Sequence, residues 1–404
     1  MPSTTSVSAS AATAAPTKAN VFDMGNYTPV LQTVETGSTL PVPPPKPLLI
    51  AMPSEAGEFP VIIVLHGWML YNSFYSQLIQ HIASYGFIVV APQASLSLSH
   101  SCTYRKLTCP SAGHYFSKAK RLTASLPQKE EESLESGAKG SMQMIFLMKH
   151  AHFPKHLVTI PANSILTERP CACVHVILIV LYTCAGVDAT ADIDAAAAVT
   201  DWLSEGLHYS LPAAIQPDLT KLGLAGHSRG GKAAFALALG KAATSLKFSA
   251  LVGMDPVDGD VTGRQTPPKV LTYIPHSFLL GMAAMVIGSG FGELKKCHLF
   301  PACAPKRISH EEFFNECQEP ACYFVVKDYG HLDMLNDDTT GIRGLATYCM
   351  CKNGESREPM RRFVGGIVVA FMKAYLPGDK SDLMAIRDGL ETAPVELTTI
   401  EFLA

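Results

Sequence analysis

The sequence predicts an α/β protein built on a mostly parallel, doubly wound sheet. Three observations lead to this prediction. Short, continuous apolar runs such as residues 59–67 have the composition of strands that are buried on both faces. Amphipathic segments with helical spacing separate these runs along the chain. A serine between two glycines follows the apolar run 222–226 and precedes a helical pattern, which is typical of a sharp strand-to-helix turn.

The predicted elements alternate along the chain. Residues 59–67 form the first strand, and residues 71–86 form a helix that Gly86 closes as a C-terminal cap. The later strands are predicted at 87–92, 222–226, 248–254, 285–288 and 321–327. The later helices are predicted at 192–207, 232–243 and 361–376. Because strands alternate with helices, we expect a parallel sheet with helices on both faces.

A single domain is predicted over residues 21–378, interrupted by an insertion at 94–180. This insertion far exceeds the usual connection of about 2–6 residues between a strand and a helix. Residues 1–20 are rich in Ser, Thr and Ala and contain no acid, which indicates a disordered tail. A transit peptide is the alternative, although this tail has no Arg. Residues 379–404 are expected to form a C-terminal tail.

Composition excludes several classes of protein. A hydrophobic fraction of 48% in 404 residues supports a sizeable core and excludes a wholly disordered chain. The net charge of −3 provides no basic field, so we expect no nucleic-acid partner. No apolar run approaches the ~20 residues that span a bilayer. The 11 cysteines include no pair of CxxC motifs, which argues against structural zinc. Six lie in the last third and could form disulfides: Cys297, Cys303, Cys317, Cys322, Cys349 and Cys351.

The motif GHSRGG predicts that Ser228 is a nucleophile. A serine hydroxyl needs a base within about 3 Å, and that base needs an orienting group. In a nucleophile elbow, the glycines two residues on either side let neighbouring backbones approach closely. Gly226 and Gly230 occupy these two positions. A plain tight turn is the alternative interpretation, but the flanking strand and helix favour the nucleophile.

His331 is the predicted base because it directly follows the last predicted strand, as the Ser…Asp…His order of such folds requires. Among the other histidines, His227 neighbours the serine and is expected to point away from it. The remaining competitors fall in connections without an adjacent strand end: His208, His276 and His310.

Two acids compete to orient the base. Asp255 follows the fourth predicted strand and Glu293 the fifth, and both strand ends lie on the same side of the sheet. These residues alone leave the choice open, with Asp258 as a weaker third candidate. The oxyanion hole is expected to combine the backbone N–H groups of Arg229, after the serine, and Trp68, after the first predicted strand.

Sequence blocks over about 21–93 and 181–378 resemble plant chlorophyllases. They include VIIVLHG, NSFYSQLIQHIASYGFIVVAPQ, ATADIDAAAAVTDWLSEGL, LAGHSRGGKAAFALALG, LKFSALVGMDPVDG, QTPPKVLTY, CYFVVKDYGHLDML, ATYCMCKNG and REPMRRFVGGIVVAF. The resemblance implies an α/β-hydrolase fold and cleavage of the phytyl ester of chlorophyll to chlorophyllide and phytol. It implies that Ser228 is the nucleophile, His331 the base and Asp255, rather than Glu293, the acid.

The same resemblance implies that the protein needs no cofactor, since the magnesium belongs to the substrate. It also implies chlorophyll as the small-molecule partner, peripheral contact with pigment-bearing membranes and location in the chloroplast, with cytosol or endomembrane as alternatives. Two other functions stay open. One is a general lipase, cutinase-like esterase or lipid acetylhydrolase that uses the same triad. The other is a catalytically dead form, because the insertion follows a strand at the active-site end of the sheet.

The insertion departs from the family pattern, which resumes at Leu181-Tyr182-Thr183. We hypothesise a retained, in-frame intron, because the apolar run VHVILIVLY lies where a pyrimidine-rich tract would be translated. Sequencing the transcript tests this hypothesis, and a genuine lid-like insertion is the alternative. The insertion also contains His150, His152 and His156, which could bind metal, although a chance cluster is the favoured interpretation.

Overall fold

A computed structural model describes residues 20–94, 187–296 and 300–403. The strands are β1 (Pro29–Val34), β2 (Leu48–Pro53), β3 (Gly57–Leu65), β4 (Ile88–Pro92), β5 (Ile215–His227), β6 (Ala250–Met254), β7 (Gly259–Val261), β8 (Arg264–Gln265), β9 (Ala283–Ser289), β10 (Ala321–Val326) and β11 (Leu397–Leu403). The α-helices are α1 (Ser76–Ala83), α2 (Thr190–Gly206), α3 (Arg229–Ala238), α4 (His310–Glu316), α5 (Gly341–Cys349), α6 (Glu358–Tyr375) and α7 (Ser381–Arg387). Short 3₁₀ helices cover Asn72–Tyr75 and Leu207–Ser210.

Within this described part, one sheet of nine strands has the order β1-β2-β4-β3-β5-β6-β9-β10-β11. The strands from β4 to β10 in this order pair in parallel. Strands β1, β2 and β11 pair antiparallel at the two edges. The predicted doubly wound, mostly parallel sheet is therefore confirmed.

Apolar side chains alternate between two core layers, one on each face of the sheet. In β3, Ile62 and Val64 join the layer that contains α1, α6 and α7, whereas Val61 and Ile63 join the layer that contains α2, α3 and α4. Since side chains of a strand point alternately to its two faces, a strand between two helical layers must be apolar throughout. This requirement explains the unbroken apolar runs in the sequence.

The segment expected to be a C-terminal tail contributes to the sheet. Helix α7 packs its apolar side into one core layer, and β11 pairs with β10 in antiparallel register. The domain boundary expected at residue 378 therefore does not mark the end of the fold. The sequence of β11 alternates polar with apolar residues, because an edge strand needs only one covered face. It therefore lacks the continuous apolar run by which the other strands were predicted. Most of the predicted insertion, with His150, His152 and His156, lies outside the described residues.

Among the described residues, a disulfide joins two of the six cysteines noted in the last third of the chain. Cys303 and Cys351 are bonded, with their Cα atoms 5.7 Å apart. The bond ties the loop after β9 to the segment after α5. Cys317 and Cys322 are buried free thiols, and burial raises the pKa of both. Across the residues that the structure describes, no helix is long and apolar enough to cross a membrane.

Candidate active site

Ser228 lies between the end of β5 and the first residue of α3, and its backbone is strained. Its φ of 57° is in the left-handed region, which a non-glycine residue seldom adopts. The turn is held by backbone hydrogen bonds: Ser228 N–H donates to the carbonyl of Met254, and its own carbonyl accepts from Val257 N–H and Lys232 N–H. The strain therefore persists because neighbouring elements fix both sides of the turn.

Gly226 and Gly230 are required by close backbone approach. A Cβ atom on Gly226 would lie 2.2 Å from the carbonyl oxygen of Gly230. One on Gly230 would lie 2.4 Å from the carbonyl oxygen of Leu65, at the end of β3. Any side chain at either position would push α3 away from the sheet. Contacts across the turn thus explain why the motif has a glycine two residues before and two residues after the serine.

Ser228, His331 and Asp255 are joined by hydrogen bonds. Ser228 Oγ lies 2.8 Å from His331 Nε2, and His331 Nδ1 lies 2.7 Å from Asp255 Oδ2. Because a carboxylate only accepts, Nδ1–H donates to Asp255, and Nε2 accepts from the serine hydroxyl. His331 is 4% exposed and Asp255 is fully buried, whereas the serine is partly accessible. In this arrangement the imidazole can take a proton from the serine.

Asp255 has partners besides His331. The Ser289 hydroxyl donates to Oδ2, and His310 Nε2 lies 3.9 Å from Oδ1. Burial alone would raise the pKa of Asp255, but the hydrogen bond and charge of His331, with contributions from His310 and Ser289, hold that pKa below its usual value. The acid is therefore ionised at neutral pH and can stabilise an imidazolium.

The other candidate acids lie elsewhere. Glu293 forms an ion pair with Lys306, with 3.1 Å between Oε2 and Nζ. Asp258 is buried against Lys232 of α3 and accepts backbone hydrogen bonds from Val270 and Leu271. Neither carboxylate is hydrogen bonded to His331. The geometry thus distinguishes the two strand-end acids, which the residues alone left equal.

The loop after β3 (residues 66–71, the β3 loop) runs beside the serine. A Cβ atom on Gly67 would lie 3.2 Å from Ser228 Cβ, so the loop backbone contacts the elbow. Trp68 follows directly, and Arg229 begins α3 on the other side of the serine. The two residues predicted to form an oxyanion hole therefore flank the serine in space. Arg229 also bonds Asp192 through its guanidinium, with Nε 2.5 Å from Oδ2.

Two site residues escaped the sequence predictions. His310 was set aside because it follows no strand, yet its ring packs against Gly288, where an added Cβ would lie 2.4 Å from His310 Nδ1. A glycine near the end of β9 is the signal that could have indicated this contact. Tyr75 lies under the elbow, with its hydroxyl 2.6 Å from Nδ1 of His227. The sequence predictions did not single out Tyr75, and helical periodicity gives no sign of this hydrogen bond.

Comparison with known proteins agrees with this architecture. The family model described as Chlorophyllase matches residues 17–153 and 173–404. The chain belongs to the chlorophyllase family. It is 43% identical to Chlorophyllase-2 of Arabidopsis thaliana over 95% of this chain and 97% of that protein. It is 36% identical to Chlorophyllase-1 of the same plant over 90% of this chain and 86% of that protein.

A relative from another plant carries a location in its name. Chlorophyllase-1, chloroplastic, of Citrus unshiu is 34% identical over 95% of this chain and 88% of its own length. The predicted membership of the plant chlorophyllases is confirmed, and with it a hydrolase of the chlorophyllase type on an α/β-hydrolase fold. The family match omits residues 154–172, which lie inside the predicted insertion.

Proposed function

We propose that this protein cleaves the phytyl ester of chlorophyll, with Ser228 as nucleophile, His331 as general base and acid, and Asp255 as the orienting acid. The observation that carries the proposal is the continuous hydrogen-bonded path from Ser228 Oγ to Asp255 Oδ2 in a chain of the chlorophyllase family. The names of the relatives indicate the substrate class.

In the first half of the proposed reaction, Ser228 Oγ attacks the carbonyl carbon of the propionate ester. His331 Nε2 takes the hydroxyl proton, and the buried Asp255 stabilises the resulting imidazolium. The oxyanion accepts hydrogen bonds from the backbone N–H groups of Trp68 and Arg229. The bond to phytol then breaks, and His331 returns its proton to the leaving oxygen. The product is an acyl-enzyme of chlorophyllide on Ser228.

The second half uses water as the nucleophile. His331 removes a proton from water, whose oxygen attacks the acyl carbon. The same two N–H groups bind the second oxyanion. Collapse breaks the bond to Ser228 Oγ, which regains its proton from His331, and chlorophyllide leaves. In each half, His331 Nε2 accepts one proton and then gives it up, so the side chains suffice without a cofactor.

Substitution of the serine tests the assignment. Ser228→Ala should lower turnover of chlorophyll by on the order of 10⁴-fold or more, because the nucleophile is lost while the turn is kept. Chlorophyllide formation is measured by extraction, and Ser204→Ala on the exposed side of α2 is the control. A fluorophosphonate should label the wild type and leave Ser228→Ala unlabelled. Retention of a tenth of the activity in Ser228→Ala would exclude it as nucleophile.

A substrate panel tests the specificity. Chlorophyll, p-nitrophenyl esters and triacylglycerol are offered to the same preparation. Preference for chlorophyll supports the proposal, whereas preference for simple acyl esters would assign a general esterase or lipase. A full chain that is not labelled by the fluorophosphonate and hydrolyses none of these esters would be the catalytically dead form. The three outcomes are therefore separated by one set of assays.

We also propose the chloroplast as the location and peripheral contact with pigment-bearing membranes. The chloroplastic names of the Citrus relatives support the location. Exposed apolar side chains at Tyr71, Leu345 and Tyr348 support the membrane contact, since such side chains can enter a lipid interface. Arg343 of α5 lies over the ring of Tyr71, which joins α5 to the β3 loop. Leu345→Asp should weaken co-sedimentation with chlorophyll-bearing vesicles.

A further inference from the structure

We propose that Tyr75 and His227 are positioning residues that hold His331 and the β3 loop in register with Ser228. The inference rests on the proposed function, because it takes His331 as the base. Neither side chain needs to touch the substrate. Their action is to fix two loops, one that carries the base and one that carries Trp68. The base follows β10 in a loop of residues 327–340, called here the β10 loop.

Hydrogen bonds connect the two loops through these side chains. Gly67 N–H of the β3 loop donates to the Tyr75 hydroxyl oxygen over 3.0 Å. The Tyr75 hydroxyl lies 2.6 Å from His227 Nδ1. His227 Nε2 lies 2.9 Å from the backbone carbonyl oxygen of His331. The path therefore runs from the residue before Trp68 to the backbone of the base.

The chemistry of the atoms fixes the direction of each hydrogen bond. The carbonyl of His331 can only accept, so His227 must carry a proton on Nε2. Burial, followed by the charge of His331, lowers the pKa of His227 to about 3, so the ring is neutral near pH 7. Its Nδ1 therefore accepts, and the Tyr75 hydroxyl donates to it. The tyrosine oxygen is then left to accept from Gly67 N–H.

Both side chains are buried where a missing partner is costly. His227 is 0% exposed and Tyr75 is 1% exposed. Removal of the tyrosine hydroxyl would leave Gly67 N–H and His227 Nδ1 without these hydrogen bonds in the buried interior. A buried polar atom without a hydrogen-bond partner is unfavourable, because it has lost its contact with water and gained nothing in return. The loops would shift to find partners, and the shift would move Trp68 and His331.

The β10 loop is also tied directly to the segment that carries Tyr75. Asn336 in the β10 loop donates its backbone N–H to the carbonyl of Phe74, and its Oδ1 accepts from Gln77 N–H. Its Nδ2 donates to the carbonyl of Ser73 and lies 2.7 Å from Ser76 Oγ. The 3₁₀ helix that presents Tyr75 is thus anchored to the β10 loop. This anchor lets Tyr75 act as a rigid support for His227.

The experiment compares Tyr75→Phe with Tyr85→Phe in the full chain. Tyr85 loses an equivalent hydroxyl, which bonds the carbonyls of Asn20 and Asp23 at the far end of α1. Tyr75→Phe should lower kcat for chlorophyll and the rate of fluorophosphonate labelling by about 10- to 100-fold, as misplacement of a reacting group does. KM should change by less than about threefold, because the reacting geometry and not ground-state binding is lost. Tyr85→Phe should match the wild type.

A spectroscopic signature separates positioning from general destabilisation. The proton between His331 Nδ1 and Asp255 should give a far-downfield NMR resonance, which Tyr75→Phe should shift or broaden in folded protein. His227→Gln, which keeps an N–H near the His331 carbonyl, should retain more activity than His227→Leu. Wild-type kcat in Tyr75→Phe, or a loss that only follows the unfolded fraction with the resonance unmoved, would overturn the proposal. Turnover by Ser228→Ala would instead overturn the proposed function.

Discussion

Two residues of the site carry the same kind of backbone strain. Ser228 and Asp255 have φ angles of 57° and 46°, and each follows the end of a parallel strand. Asp255 N–H donates to the carbonyl of Ile287 in β9, and Ser228 N–H donates to the carbonyl of Met254 in β6. Each strained residue is therefore held by the neighbouring strand. Such strain persists where the surrounding structure over-determines it, which is common at functional sites.

We expect Asp255→Asn to lower kcat by roughly 10⁴-fold, because His331 would lose its orienting anion and adopt the wrong tautomer. Glu293→Gln should stay close to the wild type, since the carboxylate of Glu293 pairs with Lys306 near the surface. Chlorophyllide formation by both variants is the measurement. The reverse order of activities would assign the role of the acid to Glu293, after the end of β9.

Buried histidines predict an acid-labile fold. Burial lowers the pKa of His66, His81 and His227. Since each folded pKa lies below the unfolded value of about 6.5, unfolding takes up protons at acid pH. The free energy of unfolding should therefore fall as pH drops below about 6.5, by up to about 1.4 kcal/mol per pH unit for each histidine. For His227 this loss continues down to its folded pKa of about 3.

Urea unfolding between pH 7.5 and 5.5 measures this slope. His81 donates to the carbonyl of Val21 and lies far from Ser228 in the sequence. His81→Gln should therefore make the dependence of the unfolding free energy on pH shallower, by the equivalent of up to one proton taken up on unfolding. His208→Gln, at an exposed position, is the control for the effect of a histidine-to-glutamine substitution itself. An identical slope in the wild type and His81→Gln would show that burial of this ring does not govern its protonation.

At the level of elements, α3 is fixed to the connection between β6 and β9 by a buried ion pair. Lys232 Nζ lies 2.9 Å from Asp258 Oδ1, and the two side chains are 1% and 0% exposed. Lys232 also donates to the carbonyl and hydroxyl of Thr266. Burial lowers the pKa of Lys232, against the attraction of Asp258, which raises it. This pair fixes the helix whose first turn carries the serine.

Lys232→Met should lower the free energy of unfolding by about 3–5 kcal/mol, because it leaves the Asp258 carboxylate buried without a countercharge. Lys221→Met removes the lysine of an ion pair with Asp218 in which the lysine is 44% exposed, and should cost less than about 1 kcal/mol. Chemical denaturation of both variants gives the comparison. Equal losses would show that the buried pair contributes no more than a surface pair.

For the whole molecule, the described residues nearest the two ends of the predicted insertion contact residues near the candidate site. Ala94 N–H donates to His66 Nε2 over 2.9 Å, and His66 precedes Gly67 in the β3 loop. On the other flank, the carbonyl of Asp188 accepts from the guanidinium of Arg229. The chain therefore leaves and re-enters the described fold beside the residues that flank Ser228. A change of connection at these points would act on the contacts to His66 and Arg229.

Deletion of residues 94–180 should give a more soluble and more active enzyme than the full chain. The apolar run VHVILIVLY carries no acidic or basic residue other than one histidine, and such a β-branched run favours aggregation when exposed. The deletion joins Gln93 to Leu181. Gln93 Oε1 still accepts from Asn72 N–H, which holds the strand end.

Purification of the two forms side by side measures monomer yield and chlorophyll turnover. Closure of a loop of this length costs little free energy, so the described fold is expected to form in both. A full chain that is monomeric and as active as the deletion would contradict the prediction and the retained-intron hypothesis. Transcript sequencing is an independent test of the same hypothesis.

The parallel strands and most of the long helices were predictable because their sequences record a local property. β3, β4, β6 and β10 appear as apolar runs, since both faces of each strand are buried. The edge strands β1 and β11 mix polar with apolar residues and were not predicted. Strand β5 begins seven residues before its predicted start because its first part pairs with Gly57–Pro60 of β3. That pairing leaves no mark in local hydropathy.

Local sequence was enough to predict that Ser228 lies at a strand-to-helix turn and that His331 follows a strand end, because the elbow glycines and the order of strand ends reflect the path of the backbone. It left Asp255 and Glu293 equal, since both follow parallel strands, and a resemblance to the family was needed to favour one. The tertiary structure separates them by contact: Asp255 reaches His331, whereas Glu293 reaches Lys306. The link from Tyr75 to His227 joins residues 152 positions apart and likewise appears only after folding. Periodicity reports which side of an element is buried, but only packing between elements decides which buried polar atoms meet.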